Sequence, residues 1–270
     1  MREKEDRPIG VFDSGIGGLT VLKEIIRELP QESTIYLGDT ARVPYGIRSA
    51  ETVIRYSFEN TSFLSSRDIK ILVVACNTAS SVSLQAVKNS VAIPVIGVIE
   101  PGAKAAVRAT RNKKIGVIGT AATVHSNAYT KAIHAIDTTL QVFGLACPLF
   151  VPLVEEGWIT GKVAAMVAKQ YLGSMKEKGI DTLVLGCTHY PLLKKVIARV
   201  MGKEVTLIDS AVETSREIRT LLEVFDLKRD LKKSPSRQFY VTDSPDRFVK
   251  VGENFLGEKI DHIEQIAVGN

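Results

Sequence analysis

The sequence predicts an α/β fold made of two similar halves, each with a mostly parallel sheet covered by helices on both faces. Short apolar runs alternate with segments of helical period along most of the chain. The runs are continuously apolar, as strands buried on both faces require. The pattern also repeats: IGVF at Ile9 returns as IGVI at Ile115, and the apolar run before Cys76 returns before Cys187. These observations predict two pseudo-symmetric three-layer domains.

The individual elements follow from the same pattern. A helical stripe between the first two strands ends at Pro30, and a second helical pattern covers residues 163–172 after an apolar run at 151–154. In the tail, a helical stripe at Ile218, Leu221, Leu222 and Phe225 precedes a strand at 238–241 and a terminal helix. The strands predicted before that tail are residues 9–12, 34–37, 71–75, 95–99, 115–118, 183–185 and 205–208.

Length and composition exclude several classes of protein. A chain of 270 residues with 45% hydrophobic and 24% charged residues is ordinary for a globular protein and predicts two domains. The longest uniformly apolar stretch, residues 71–76, is far shorter than the roughly 20 residues that span a bilayer. The first ten residues contain no apolar segment typical of a secretory signal. We therefore expect a soluble, cytoplasmic protein with no membrane partner.

The net charge of +5 comes mostly from one short segment, residues 227–237, with the sequence LKRDLKKSPSR. A basic run that contains Ser and Pro is usually a solvated connector. No motif typical of nucleic-acid binding accompanies it. We therefore interpret it as a connector and expect no nucleic-acid partner.

The three cysteines, Cys76, Cys147 and Cys187, are widely spaced and form no Cys-x-x-Cys motif. This pattern argues against both a disulfide framework and a zinc site, so we expect no metal. Cys76 and Cys187 each follow an apolar strand directly, which places them at the sheet edge where α/β proteins bind ligands. Hydroxyl residues and a helix N-terminus after them favour an anion or a thiolate. The alternative is that both are inert, buried thiols.

A glycine-rich turn, DSGIGG, follows the first strand and lets the backbone approach a carboxylate or phosphate closely. Asp13 at its start is either a helix cap or a helper of a general base. A dinucleotide site is an alternative because Asp39 lies about 20 residues further on. However, Thr20 occupies the place of the third glycine in that motif. We therefore expect no nicotinamide cofactor.

His189 lies two residues after Cys187, close enough to share a proton with the thiol or with a substrate. The other histidines have no neighbouring cysteine. Glu155 and Glu156 follow the apolar run VPLV, and their roles stay open on residue type alone.

Six segments together resemble the glutamate racemases of the aspartate/glutamate racemase superfamily. They are DSGIGGLTV at Asp13, YLGDTARVPYG at Tyr36, ACNTAS at Ala75, VIEPGAKAA at Val98, VPLVEEGW at Val151 and GCTHYPLL at Gly186. The wider superfamily shares the two thiols, whereas DSGIGG and VPYG point to the glutamate enzymes. The resemblance covers residues from about 9 to 210.

The resemblance implies a cofactor-independent isomerase that interconverts L- and D-glutamate and supplies D-glutamate for peptidoglycan. It implies two catalytic thiols, Cys76 and Cys187, with Asp13 supporting the first and Glu155 and His189 supporting the second. Further pocket residues would be Thr120 and Thr123. The residues implied to contact glutamate are Asp13, Ser14, Tyr45, Gly46, Asn77, Thr78, Thr188 and His189.

The resemblance also implies that the tail returns to the first half of the chain. We therefore expect one domain from residues 1–98 plus 209–270 and another from 99–208, with the active site in the cleft between them. A homodimer is implied as well. Two alternatives remain open: an aspartate, hydantoin or related racemase with the same thiols, and a non-catalytic, two-lobed amino-acid-binding protein.

Overall fold

The strands form two separate parallel sheets in the computed structural model, which describes residues 3–229 and 234–269. The strands are β1 (Ile9–Asp13), β2 (Thr34–Gly38), β3 (Ile71–Val74), β4 (Val95–Gly97), β5 (Lys114–Gly119), β6 (Gln141–Ala146), β7 (Thr182–Gly186), β8 (Thr206–Asp209), β9 (Arg237–Val241) and β10 (Ile263–Gln265). The first sheet has the order β10-β9-β2-β1-β3-β4, and the second has the order β6-β5-β7-β8. Every registered pair of neighbours is parallel.

Helices cover both faces of these sheets. They are α1 (Leu19–Glu28), α2 (Ala50–Ser65), α3 (Asn77–Val82), α4 (Leu84–Ser90), α5 (Ile99–Ala109), α6 (Ala121–His125), α7 (Ala128–His134), α8 (Phe150–Glu155), α9 (Gly161–Glu177), α10 (Lys194–Met201), α11 (Ser210–Val224) and α12 (Pro245–Leu256). Short 3₁₀ turns lie at Lys4–Asp6, Tyr45–Ile47 and Tyr190–Leu193. Within the described ranges, no helix combines the length and apolar character needed to cross a bilayer.

Alternate side chains of the central strands enter different hydrophobic cores. In β1, Ile9 and Val11 belong to one buried cluster, whereas Phe12 belongs to another on the opposite face. In β7, Leu183 and Val184 divide in the same way. Burial on both faces explains why these strands are continuously apolar in sequence. The predicted three-layer α/β architecture is therefore confirmed.

The two sheets repeat one topology. The order β2-β1-β3-β4 in the first sheet corresponds strand by strand to β6-β5-β7-β8 in the second. Cys76 follows β3 and Cys187 follows β7, so the two thiols occupy equivalent strand ends. The repeated IGV segments lie in the central strands β1 and β5. The internal repeat of the sequence is thus a structural repeat, and the first sheet gains two further strands from the tail.

The structure corrects several predicted elements. The strand predicted at 95–99 ends at Gly97, because Ile99 already begins α5. Strands β6 and β10 were not predicted, since both are edge strands with mostly half-buried or exposed residues and lack a continuous apolar run. Phe225 lies just beyond the end of α11 and is 53% exposed, so it does not extend the buried stripe. The other predicted strands agree within one residue at each end.

The interpretation of residues 227–237 as a solvated connector is wrong for its first part. Residues 230–233 lie outside the described residues. Arg229 is only 8% exposed, and its backbone N–H donates to Glu32 at 2.9 Å. Its guanidinium donates to the carbonyl of Gln31 and pairs with Asp6 at 3.2 Å. A buried cation is costly unless it is paired, and this network supplies the partners.

Candidate active site

One small cavity is lined by strand ends and loops from both sheets. It has a volume of about 170 Å³, below the roughly 300–1,000 Å³ of sites for drug-sized ligands, so it suits a small substrate. Both Cys76 and Cys187 are in its wall. The other lining residues are Ser14, Val43, Pro44, Tyr45, Gly46, Ile47, Asn77, Thr78, Thr120, Ala121, Pro148, Val151, Pro152, Thr188 and His189.

Cys76 lies between β3 and the first turn of α3, where it is the residue that precedes the helix. Its side chain is 5% exposed, and its Sγ lies 3.6 Å from Ser14 Oγ. Burial raises the pKa of Cys76 to about 12, and the negative charge of Asp13 adds to this effect. This thiol therefore keeps its proton at neutral pH.

Asp13 ends β1 and lies fully buried beside the glycine turn. Its Oδ2 accepts a hydrogen bond from Gly15 N at 3.0 Å, while Oδ1 has no hydrogen-bonding partner among the described residues. Burial raises the pKa of Asp13, opposed by the charge of His189 and by backbone N–H groups of the turn. Asp13 Oδ1 is therefore a buried acceptor whose hydrogen-bonding capacity the described residues leave unused.

Cys187 begins a chain of contacts that continues through three further side chains. Its Sγ lies 3.9 Å from His189 Nδ1, and His189 Nε2 lies 3.2 Å from Glu155 Oε1. Arg247 Nη2, on α12, donates to Glu155 Oε2 at 3.2 Å. Glu155 therefore bridges His189, which follows β7 of the second sheet, and Arg247 of α12 in the tail.

Two opposing effects set the proton affinity of His189. Burial lowers its pKa, but hydrogen bonds to Cys187 and Glu155 outweigh burial and raise the pKa to about 10. The hydrogen bond to His189 also lowers the pKa of Glu155. The imidazolium form therefore stands beside Cys187 Sγ, where its positive charge can pair with a thiolate.

The glycine turn that follows β1 packs against Thr188 and His189, the two residues after Cys187. A side chain at Gly17 would collide with Thr188 and with the imidazole of His189. Thr20 Oγ1 donates to the carbonyl of Thr188 at 2.8 Å. The absence of a side chain at Gly17 thus lets the two halves approach each other at the cavity.

Asn77 and Thr78 place polar groups at the start of α3. Asn77 Oδ1 accepts a hydrogen bond from Tyr129 Oη at 2.7 Å, while Asn77 Nδ2 is buried with no partner among the described residues. Thr78 Oγ1 lies 3.0 Å from Thr120 Oγ1 and 3.3 Å from Thr123 Oγ1. These hydroxyls and the free amide N–H are donors suited to a carboxylate.

The loop that carries Tyr45 is fixed by a buried polar network. Tyr45 Oη hydrogen-bonds to Asp39 and accepts from Asn60 Nδ2 at 3.1 Å. The carboxylate of Asp39 also accepts from Arg42 and Thr242. Asp39 is fully buried and its oxygens are occupied by protein donors, which removes the basis for a dinucleotide interpretation.

The structure brings most of the predicted site residues into one wall. Those that line the cavity are Cys76, Cys187, Ser14, Tyr45, Gly46, Asn77, Thr78, Thr188, His189 and Thr120. Asp13, Glu155 and Thr123 lie behind it and contact the turn, His189 and Thr78 respectively. No group of His, Cys, Asp and Glu within residues 3–229 and 234–269 is arranged to hold a metal ion.

Sequence reasoning missed part of the wall and several supporting residues. The missed lining residues are apolar: Val43, Pro44, Ile47, Ala121, Pro148, Val151 and Pro152. Their signal was proline next to motif residues, in VPYG, CP and VPLV. Tyr129 and Arg247 carry no such signal, because their partners are 52 and 92 residues away in the sequence.

We predict that His189 and Glu155 make stability depend on pH. The pKa of His189 is higher in the folded state, about 10, than in the unfolded chain, about 6.5. The histidine therefore stabilises the folded state fully below about pH 6.5, and this contribution is lost as the pH rises towards about 10. The lowered pKa of Glu155 contributes above about 4.5 and is lost as the pH falls. We therefore compare the free energy of unfolding of the wild type with that of His189→Asn. The difference should be largest between about pH 4.5 and pH 6.5.

Urea denaturation at a series of pH values measures this difference. His134→Asn is the matched control, since His134 is outside the cavity wall and its Nε2 hydrogen-bonds to the carbonyl of Leu140. A difference that stays constant from about pH 5 to pH 10 would contradict the prediction.

Two similar parallel sheets, with one cavity lined by residues from both, are the architecture of the α/β amino-acid racemases. The Asp/Glu/Hydantoin racemase family matches residues 9–217 of the chain. A glutamate racemase from Geobacter metallireducens is 55% identical over 262 residues, which cover 97% of each chain. The chain therefore belongs to the glutamate racemases, a group of amino-acid isomerases within that family.

Solved structures agree with this assignment. A glutamate racemase from Bacillus anthracis is similar with a TM-score of 0.94 and 45% identity, over 97% of this chain and 98% of that one. A glutamate racemase from Francisella tularensis, solved in complex with D-glutamate, has a TM-score of 0.92 and 41% identity over the same shares. These similarities extend over both sheets and the tail.

Proposed function

We propose that the protein interconverts L- and D-glutamate by proton transfer between two thiols, without a cofactor. The observation that carries the proposal is that Cys76 and Cys187, at equivalent strand ends of the two sheets, line one small cavity. The family supports the substrate, since the Francisella tularensis relative was solved with D-glutamate.

Racemisation requires that a proton leave one face of the α-carbon and that another arrive on the opposite face. A single base would have to cross the substrate plane, whereas two bases on opposite sides need no such movement. One cysteine, as thiolate, takes the α-proton and forms an S–H bond while the electron pair of the C–H bond moves towards the substrate carboxylate. The other cysteine, as thiol, gives its proton to the opposite face. The reverse direction exchanges the two roles.

The charges around the thiols favour an asymmetric starting state. The His189 imidazolium beside Cys187 pairs with a thiolate, and Glu155 holds the imidazolium from its other side. Cys76 lies beside the carboxyl group of Asp13 and starts as the thiol, since burial holds its pKa at about 12. We therefore assign His189 to assist Cys187, Asp13 to assist Cys76, and Glu155 to position His189.

Polar groups in and behind the cavity wall would bind the two ends of an amino acid. Asn77 Nδ2 and the hydroxyl of Thr78 would donate to the substrate carboxylate, whose negative charge grows as the α-proton leaves. Asp13 Oδ1 would accept a hydrogen bond from the ammonium group. Ser14, Tyr45, Gly46, Thr188 and His189 complete the proposed contacts. Donors that stabilise the growing charge are needed because the α-carbon is a much weaker acid than a thiol.

The proposed biological role is supply of D-glutamate for peptidoglycan from the cytoplasm. We further propose a division into domains at residues 1–98 plus 209–270 and 99–208, supported by the passage of the chain between sheets near these boundaries. A homodimer is proposed on the family resemblance alone, and light scattering of the purified protein tests it.

Circular dichroism of pure protein with L-glutamate and no added cofactor tests the function. We expect the signal to decay to zero, and to do so equally from D-glutamate. Unchanged signal despite tight binding would instead indicate an amino-acid-binding protein. Faster decay with aspartate would indicate a different substrate. An absorbance band of a bound cofactor, or inactivation by a chelator, would contradict the cofactor-independent mechanism.

A further inference from the structure

Asn77 carries a buried side-chain donor that no described residue uses. It is the first residue of α3, it is 3% exposed, and it belongs to the cavity wall. Its Nδ2 finds no partner among the described residues. Buried donors are rarely left unpaired in folded proteins, so an unpartnered N–H on a residue of the cavity wall indicates a place for a ligand acceptor.

The amide of Asn77 is useful only in one of its two orientations. An amide group turned by half a rotation would present its oxygen to the cavity in place of its N–H₂, and an oxygen repels a carboxylate. Rotation about the last side-chain bond of Asn is broad and roughly two-fold, so the bond itself does not select the orientation. The hydrogen bond from Tyr129 Oη to Asn77 Oδ1, at 2.7 Å, is the contact that selects it.

Tyr129 acts as the donor in this hydrogen bond. Burial raises the pKa of Tyr129 above its usual value, so the phenol keeps its proton. The phenol hydrogen is directed to Asn77 Oδ1, which accepts it at an oxygen–oxygen distance of 2.7 Å.

The ring of Tyr129 is held by close packing in the second half of the molecule. Tyr129 lies on α7 and is 2% exposed. A Cβ atom added at Gly186 would come within 3.0 Å of the ring, and one added at Gly102 within 3.3 Å. The phenol therefore reaches across to α3 from a ring with little room to move.

We propose that Tyr129 is a positioning residue for substrate binding, which holds the Asn77 amide with its N–H₂ group towards the α-carboxylate. This inference rests on the proposed function, because it takes glutamate as the ligand. The α-carboxylate is common to both enantiomers. The contribution of Tyr129 is therefore equal in the two directions of the reaction, unlike that of a group that assists only one thiol.

Tyr129→Phe removes the phenol hydroxyl and keeps the ring. We expect KM to rise about tenfold for L- and for D-glutamate alike, as expected when a hydrogen bond to a charged group is lost, and kcat to fall equally in both directions, because the same donor stabilises the charge that grows on the carboxylate. Calorimetric titration of D-glutamate into Cys187→Ala and into Cys187→Ala/Tyr129→Phe should show the same loss of affinity. That titration does not need turnover, so it separates failure of this inference from failure of the proposed racemisation.

Tyr190→Phe is the matched control, because Tyr190 is also fully buried and donates one hydrogen bond, at 2.9 Å to the carbonyl of Cys147. It should lower the melting temperature comparably without the tenfold loss of affinity. In an Asn77→Ala background, Tyr129→Phe should have no further effect on binding. Unchanged affinity in Tyr129→Phe, or a change confined to one enantiomer, would overturn the proposal.

A second variant tests the donor directly if Tyr129→Phe does not fold. Asn77→Asp keeps the shape and the hydrogen bond from Tyr129 but places an oxygen where the N–H₂ group stands. We expect it to weaken D-glutamate binding more than Asn77→Ala, because it adds repulsion to the loss of a donor. Affinity equal to that of the wild type would show that the N–H₂ group does not face the carboxylate.

Discussion

Alanine at either Cys76 or Cys187 should abolish racemisation and leave the fold intact. Each substitution removes proton transfer on one face of the substrate, and general acid–base groups are typically worth about 10²–10⁴ in rate each. Since both faces are needed in every turnover, we expect a loss of at least about 10⁴ in kcat in both directions. Circular dichroism of glutamate measures the rate, and far-ultraviolet dichroism of the protein checks the fold.

Cys147→Ala provides the control for these variants. Cys147 is also fully buried, but it lies outside the cavity wall and its Sγ faces the carbonyl of Leu145 at 3.8 Å. We expect stability to fall slightly and turnover to stay near the wild-type value. Any α-deuterium that the two inactive variants incorporate from heavy water should come from opposite enantiomers. Near-normal turnover in Cys76→Ala or Cys187→Ala would refute the two-thiol mechanism.

Asparagine at Asp13 or at His189 should slow turnover by about 10²–10⁴ and should do so differently in the two directions. His189 is 3.9 Å from Cys187 Sγ, whereas Asp13 raises the pKa of Cys76 through its charge. Each helper therefore acts mainly on the thiol of its own half. Because the equilibrium constant of an enzyme reaction cannot change, the asymmetry must appear in kcat and KM separately or in proton exchange.

Deuterium incorporation, measured separately from D- and from L-glutamate, detects this asymmetry. The two variants should show opposite preferences for the enantiomer whose exchange is slowed. His134→Asn, at a residue outside the cavity wall, should leave both exchange rates unchanged. If both variants show wild-type rates and exchange deuterium equally from D- and from L-glutamate, the helper assignment is wrong. Asp13 and His189 would then have only capping and contact roles.

The sequence was sufficient for the parts of the site that follow strand ends. Cys76 and Cys187 could be predicted because a parallel sheet brings the carboxyl ends of its strands to one edge. The repeat of the sequence around them predicted the repeat of the topology. His189 could be associated with its thiol because the two are neighbours in the chain, a distance that any fold preserves.

Contacts between distant segments could not be predicted in this way. Arg247 reaches Glu155, and Tyr129 reaches Asn77, only because helices of the two halves pack together around the cavity. Neither residue has a motif or a neighbour in sequence that indicates its partner. The edge strand β6 was missed for a different reason, because its residues are half-buried or exposed and form no continuous apolar run.

The topology of the first sheet has a consequence for how the chain folds during synthesis. The outer edge of β2 pairs with β9, which the ribosome makes only after every strand of the second sheet. While the nascent chain lacks β9, the N–H and C=O groups along that edge have no strand to bond, and such an edge can pair with another chain. The second sheet, formed by consecutive residues 114–209, needs no later segment to complete it. Aggregation during translation is therefore a risk of the first sheet, and it ends when the last strands leave the ribosome.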